Sequence, residues 1–520
     1  MSTNKKLNNL SEYLEECFST HGEKVAFHCL GQSLDFNSIE KQSRYLARYF
    51  QHQLGLQPGD RIVIQLPNIT QYPIAAYAAL RAGLVVVNTN PLYTTREMLH
   101  QFNDAGAKAI VILSDLMPKL EAIQAETKLE HVLVTGAADL LKGETTAVEG
   151  ADGFMQALVL GETLPEFVAS PATLDDVAVL QYTGGTTGVA KGAMLTHANL
   201  LTNAAQMKQR ISQRCDSGTF VCPLPLYHIY AFTVNMLGLF GIGIANHLIP
   251  NPRDIDGFVA SIKSTEFNGI AGINTLFVGL CQHPDFKAMD FSNLRVTFSG
   301  GAALTKSAAL LWEQVTGCPV TEGWGLTETS PVVTLNNFGE EEIGTVGKPL
   351  EDTFVAVWDA NNQPLSAGEE GELVVMGPQV MKGYWNRPDE TAKVLVNGWL
   401  KTGDVGFVQD NGNIKIVDRL KDMIIVSGFN VYPNEVEEIL CLHPAVLEAA
   451  VVGEANEKTG EAVHAFVSLK ETASEAELIE FCREHLTNYK VPQHVTILDE
   501  LPKSTVGKIL RRELRNNIKS

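Results

Sequence analysis

The chain has 520 residues, 45% hydrophobic and 19% charged, with a formal net charge of −20. That length exceeds what one hydrophobic core usually holds, so two or more domains are expected, and the composition is that of an ordinary globular enzyme. So acidic a surface repels nucleic acid and anionic lipid, which excludes both as general partners.

In chain order, residues 1–18 carry no apolar signal core. Residues 61–65 read as a strand, 72–82 as a helix, 84–87 as a strand, 95–105 as a helix and 108–113 as a strand. Two further strands, 177–182 and 192–196, flank a glycine-rich loop and read as a hairpin. The alternation resumes with a strand at 219–223, a helix from Ala231, a strand near 244–249 and a helix from Ile255. Strands at 269–273 and 294–298 and helices at 275–281 and 307–316 continue it. This pattern predicts an α/β fold: largely parallel sheets covered by helices on both faces. Residues 229–252 contain no Asp, Glu, Lys or Arg, but Asn235, Asn246, His247 and several glycines interrupt them. They read as a buried helix followed by a buried strand, not a membrane span.

After about residue 340 short strands dominate, at 354–359, 371–376 and 413–417, separated by Gly, Pro and Asn turns. They predict a small antiparallel or barrel-like unit. From Arg419 a compact α+β segment follows. It has a strand at 423–426, a helix opening at Asn434, strands near 447–452 and 463–469, and a helix with a capping box at Ser474 and Glu477. A domain boundary is expected at 418–421, between a large N-terminal domain (1–417) and a small C-terminal one (422–520). Residues 501–520 hold six Lys or Arg against one Glu, which by itself reads as a solvated basic helix. The eight cysteines form no CxxC pair and the thirteen histidines show no metal-ligand spacing. Neither a disulfide framework nor a zinc site is expected, and a cytoplasmic setting fits, with peripheral inner-membrane contact left open.

Three segments carry chemistry. In YTGGTTGVAKG (182–192), Gly184, Gly185 and Gly188 let backbone amides approach an anion, Thr183, Thr186 and Thr187 add hydroxyls, and Lys191 adds a point charge. Phosphate suits such a loop; a plain surface loop is the alternative. It is not a Walker A sequence, because Ala190 precedes Lys191 and Gly192 follows it. Gly300, Gly301 and Ala302 follow the strand at 294–298, and 322–328 (EGWGLTE) follow a strand at 319–321. Glycine-rich turns at the carboxyl ends of parallel strands are where ligands of open sheets bind. Gly323 and Gly325 do not complete a dinucleotide fingerprint, because Glu328 stands at its third glycine. A carboxylate facing pyrophosphate is repulsive unless a divalent cation lies between them, so Glu328 fits a Mg²⁺ ligand. Trp324 offers a flat face for a purine or fills a core; the residue alone allows both.

Together, YTGGTTGVAKG, PLYHIY (225–230), GWGLTETSP (323–331), NGWLKTGD (397–404), DRLKDMIIVSGFNVYPNEVE (418–437) and PKSTVGKILRREL (502–514) resemble the adenylate-forming superfamily. That group holds acyl-CoA synthetases, nonribosomal peptide adenylation domains and beetle luciferases. The resemblance covers nearly the whole chain and is nearest to bacterial medium- and long-chain fatty-acid–CoA ligases, many of which have tyrosine where Trp324 stands.

The resemblance implies ATP, Mg²⁺, coenzyme A and a fatty acid as cofactors and substrates. It implies that Thr183, Gly184, Gly185, Thr186, Thr187, Gly188 and Lys191 hold the triphosphate, and that Glu328 with Thr183 holds Mg²⁺. Trp324 would pack on adenine, and Gly300, Gly301 and Ala302 would line the adenylate and acyl site. Glu322, Gly323, Gly325, Leu326 and Thr327 would flank the nucleotide, with Asp404 and Arg419 on the ribose. His228, by itself an ordinary structural histidine, would sit at the carboxylate entry. Lys421 would mark the hinge of a mobile small domain, Lys508 would be the catalytic lysine, and Gly428 would meet the incoming thiol. The rival readings are a ligase loading another thiol acceptor, an aromatic-acid ligase, and an inactive nucleotide-binding relative.

Overall fold

The computed structural model describes residues 7–183, 190–504 and 507–518. Gly184, Gly185, Thr186, Thr187 and Gly188 of the glycine-rich loop lie outside the described residues.

Two large sheets form the body. The seven-stranded sheet runs in the order Asp152–Gly153, His131–Thr135, Ala109–Leu113, Arg61–Gln65, Val85–Asn88, Val177–Thr183, Lys191–Thr196. Every neighbouring pair is parallel except the last, an antiparallel hairpin that sets Thr183 opposite Lys191. The nine-stranded sheet has a parallel centre of Ala245–Leu248, Thr219–Cys222, Gly269–Gly272, Val296–Ser299 and Val320–Gly325. These strands are almost wholly buried, as helices packed on each side require, and of the polar residues among them Asn246, Thr297 and Glu322 are hydrogen-bonded. The helices Asn274–Gln282 and Lys306–Thr316 pack together through Phe277 and Trp312, whose rings lie 4.7 Å apart. Trp312 is fully buried, and its indole N–H donates to Thr297 Oγ1 on the sheet at 3.0 Å, so burying it leaves no polar group unpaired.

The uncharged stretch after His228 is core. A helix at Ile229–Thr233 widens into π-type turns at Val234–Leu239, and the strand Ala245–Leu248 returns into the nine-stranded sheet. Its two buried amides pair with each other, Asn235 Nδ2 donating to Asn246 Oδ1 at 2.9 Å and Asn246 Nδ2 to the Asn235 backbone carbonyl at 3.3 Å. Among the described residues no helix is long and apolar enough to cross a membrane.

Three expectations need correction. The strand expected to end at residue 321 continues through Gly325, because Val332–Leu335 pairs against it and sets Gly323 opposite Leu335 and Trp324 opposite Thr334. Residues 322–325 are therefore strand, and the loop starts at Leu326. The barrel-like unit is an open antiparallel sheet of Phe354–Trp358, Gly371–Met376, Trp399–Val408, Leu395–Val396 and Ile414–Arg419. It need not close on itself, because Val357, Leu373, Val375 and Ile414 bury against Trp324 and Val333 of the neighbouring sheet. The basic tail is not a solvated face. Arg511 donates to Glu437 at 2.8 Å, Arg515 pairs with Asp422 at 2.8 Å, and Leu514 of the helix Arg511–Ile518 is fully buried.

Residues after Met423 bury a core of their own, including Ile424, Val436, Val451, Val463 and Leu478. Its sheet runs Phe429–Val431, Ile424–Val426, Gly460–Leu469, Val446–Asn456, with His494–Ile497 parallel to Gly460–Leu469. The helix Glu475–His485 starts where expected, Ser474 Oγ accepting from the Glu477 amide at 3.2 Å.

Candidate active site

A cleft of ≈ 2430 Å³ lies between the carboxyl ends of the nine-stranded sheet, the open antiparallel sheet and the chain around 415–422 and 503–512. Thr183, Lys191, His228, Gly300, Gly301, Ala302, all of 322–328, Asp404, Arg419, Lys421 and Lys508 line it. Residues up to 325 positions apart in sequence thus meet at one place.

The backbone sets each group. Asp404 and Arg419 stand directly opposite each other in the antiparallel pair of Trp399–Val408 and Ile414–Arg419, and Arg419 Nε reaches Asp404 Oδ1 at 3.2 Å. The other Asp404 oxygen accepts from Trp324 Nε1 at 2.8 Å. Trp324 is therefore neither a free platform nor a plain core residue: it is buried at one edge, lines the cleft, and holds a carboxylate in place. Glu322, on the same strand, accepts from the Gly344 amide at 3.2 Å, and burial pushes its carboxyl up to about 7.

Lys508 enters from a tight loop in which the Gly507 amide donates to Ser504 O at 2.9 Å and the Lys508 amide to Ser504 Oγ at 3.1 Å. Gly507 has φ +72°, a conformation that favours glycine, and a Cβ there would also push Ile273 Cδ1 aside from 2.0 Å. Gly301, at φ +86°, would place a Cβ 3.9 Å from Lys508 Cε, so the lysine stem passes over a bare stretch of backbone. Burial holds the Lys508 ammonium down to about 8; nearby Arg419 adds to this, and Asp404 and Glu328 oppose it. His228 caps the helix Ile229–Thr233, its Nδ1 accepting from the Tyr230 amide at 3.3 Å. Burial, then the charge of Lys508, lowers His228 to about 3, so it is a neutral imidazole at physiological pH.

Elsewhere in the cleft, the Glu328 carboxylate accepts from Tyr384 Oη at 2.7 Å, and Lys191 Nζ donates to Glu390 Oε2 at 2.6 Å. Tyr384 and Glu390 escaped the sequence reading: GYWNRPDE (383–390) has no glycine pattern or spacing that signals an anion, and only the tertiary fold brings it to Lys191. Gly428 does not line the cleft; it is exposed, with φ +85° and open space around a notional Cβ. Among the described residues no group of three His, Cys, Asp or Glu could hold a metal ion by itself.

The strand Val320–Gly325 and the turn after it bring Trp324 and Glu328 to the cleft, Asp404 joins them from the antiparallel sheet, and Lys508 enters from the C-terminal loop. A family model described as AMP-binding enzyme matches residues 14–385, and one described as AMP-binding enzyme C-terminal domain matches 435–508. A long-chain-fatty-acid–CoA ligase of Yersinia pestis is 46% identical over 98% of this chain and 94% of the relative. Two solved structures superpose over nearly the whole chain. The anthranilate CoA ligase AuaEII with anthranoyl-AMP has a TM-score of 0.91 at 25% identity, covering 99% of this chain and 98% of that one. ATP-bound MatB from Rhodopseudomonas palustris has a TM-score of 0.88 at 28% identity, covering 99% of each chain. The chain belongs to the AMP-binding enzyme family.

Proposed function

We propose that this enzyme is a fatty-acid–CoA ligase, converting ATP, a fatty acid and coenzyme A to acyl-CoA, AMP and diphosphate through an acyl-adenylate. The observation that carries this reading is the meeting of Lys508, Glu328 and Asp404 in one cleft, in a chain nearly half identical to a long-chain ligase along its length.

The chemistry follows from charge. A carboxylate oxygen attacks the α-phosphorus of ATP in line and diphosphate leaves, so two anions must approach each other. Lys508, cationic below about pH 8, faces the developing charge. His228 beside it is neutral, and because its Nδ1 accepts from the Tyr230 amide, its Nε2–H is the group that can donate a hydrogen bond near the carboxylate. Asp404 and Arg419 bind the ribose, Trp324 borders the adenine, and Gly300, Gly301 and Ala302 leave room for the adenylate. Thr183 and Lys191 hold phosphate oxygens. A magnesium ion fits here: one carboxylate (Glu328) and one hydroxyl (Thr183) are hard oxygen donors, few enough that phosphate oxygens and water complete the shell. When bound it supplies charge neutralisation at the phosphates.

A fatty acid favours a long apolar tunnel, and each buried CH₂ contributes about 0.8 kcal/mol. With coenzyme A as acceptor, kcat/KM should therefore climb with chain length until the tunnel is full, across a panel of saturated acids. If benzoate or acetate outperforms every medium- and long-chain acid, the substrate assignment is wrong.

On this reading the thiol must reach the acyl carbonyl by a route that a lysine at the position of Lys508 would obstruct, so thioester formation needs another arrangement. We assign 1–417 as a large domain, 422–520 as a small one and 418–421 as the hinge between them. Rotation there would withdraw Lys508 and bring exposed Gly428 to the thiol. Lys421→Pro, which fixes φ near −65°, should leave acid-dependent ATP–pyrophosphate exchange largely intact and depress thioester formation. Equal loss of both half-reactions in a folded variant would argue against this hinge.

A further inference from the structure

Lys191 opens the second strand of the hairpin, and residues 383–385 run along that strand. The Met194 amide donates to Gly383 O at 2.9 Å and the Trp385 amide to Gly192 O at 2.8 Å. This pairing brings the helix Pro388–Val394 beside Lys191, whose ammonium donates to Glu390 at 2.6 Å. The same ammonium lies 4.9 Å from the centre of the Tyr384 ring, and the Tyr384 hydroxyl holds Glu328 at 2.7 Å. The segment is anchored apart from these contacts: Arg387 pairs with Asp104 at 2.8 Å, and Trp385 Nε1 donates to Asp104 O at 3.1 Å. The fold thus sets Glu390 between two ammoniums, its Oε2 on Lys191 and its Oε1 on the more exposed Lys393 of the same helix, and the Lys191 and Glu390 side chains line the cleft.

A lysine expected to bind a polyanion therefore already carries an anion. The Lys191 and Glu390 side chains are 28% and 33% exposed, so solvent screens their attraction and an incoming phosphate can displace the carboxylate. We propose that Glu390 is a built-in counter-ion that competes with the triphosphate, and with the diphosphate product, for Lys191, and so moderates how tightly the cleft holds them. The proposal rests on the reading of Lys191 as a phosphate ligand. Its consequence is easier release of diphosphate after adenylation, obtained by a group that touches neither the acid nor the adenosine.

The test is calorimetric titration of inorganic pyrophosphate, with magnesium, into the wild type, Glu390→Gln, Lys191→Gln and the double variant, at low and high salt. Glutamine keeps size and hydrogen bonding and removes only charge. Glu390→Gln should bind pyrophosphate about two- to fivefold tighter at low salt, the scale of a partly exposed ion pair, with a smaller gain at high salt. The product-inhibition constant should fall by the same factor. In the Lys191→Gln background the gain should vanish. If Lys191→Gln weakens binding but Glu390→Gln leaves it unchanged or weaker, the counter-ion role is refuted and Lys191 stands as a phosphate ligand. If Lys191→Gln does not alter pyrophosphate affinity, the phosphate reading itself fails and the proposal with it. A gain that persists without Lys191 would mean a general field effect of the carboxylate, which also overturns the proposal. Glu390→Ala, with thermal melts on all variants, guards against a folding artefact and should reproduce Glu390→Gln.

Discussion

Replacing Lys508 with alanine should lower acid-dependent ATP–pyrophosphate exchange by roughly 10²–10³-fold, or about 3–4 kcal/mol of transition-state stabilisation. The side chain reaches the cleft over Gly301 and is held by its loop, so alanine removes a placed cation without disturbing the fold around Ser504. The same variant should still convert supplied acyl-adenylate and coenzyme A to thioester, because that step requires Lys508 to be elsewhere. The effect carries a pH signature. In the free enzyme burial holds Lys508 down to about 8, so its cationic form prevails below that pH and is lost above it. Wild-type kcat/KM for adenylation should therefore fall as pH rises through about 8, approaching about tenfold per unit. Lys508→Ala, slow at all pH values, should lack that limb. An alanine variant with wild-type exchange would remove Lys508 from the chemistry; one that keeps the alkaline limb would assign the limb to another group.

Glu328→Gln should cost adenylation roughly 10²-fold, the scale of deleting one well-placed electrostatic contact. Tyr384 Oη donates to Glu328 Oε1 at 2.7 Å, and the glutamine amide oxygen can accept that bond, so the local structure should survive while the charge is lost. Raised magnesium should recover part of the lost rate if the carboxylate is a metal ligand, since a weakened site is filled at higher concentration. Unchanged exchange with unchanged magnesium dependence would take Glu328 out of the site. Lost activity with lowered thermal stability would assign it a structural role through Tyr384.

Much of the body was legible because its signals are local. Strand 61–65 and helix 95–105 appear with the expected bounds, as Arg61–Gln65 and Thr95–Ala105. In each, a short apolar run or a 3.6-residue period is complete within a dozen residues. The hairpin flanking the glycine-rich loop was equally readable, as was the buried nature of the uncharged segment, because Asn235 and Asn246 interrupt it. Errors arose where a partner strand decides. Nothing within 322–325 signals that Val332–Leu335 will pair against it and turn a presumed loop into strand. The basic tail misled for the same reason: its counter-charges, Glu437 and Asp422, lie far from it in sequence.

The class of fold, the order of the motifs and the residue types able to handle phosphate, metal and acid are each written in a contiguous stretch and could be read from the chain alone. How those residues act on one another follows from the folded arrangement. Trp324 and Asp404 are 80 positions apart and share a hydrogen bond; Lys191 and Glu390 are 199 apart and share an ion pair. Protonation belongs to the same level. Lys508 near 8 and His228 near 3 owe their shifts first to burial. Burial is a property of the assembled cleft: removing water from a charge depends on every wall around it, and no single segment of the chain contains all the walls.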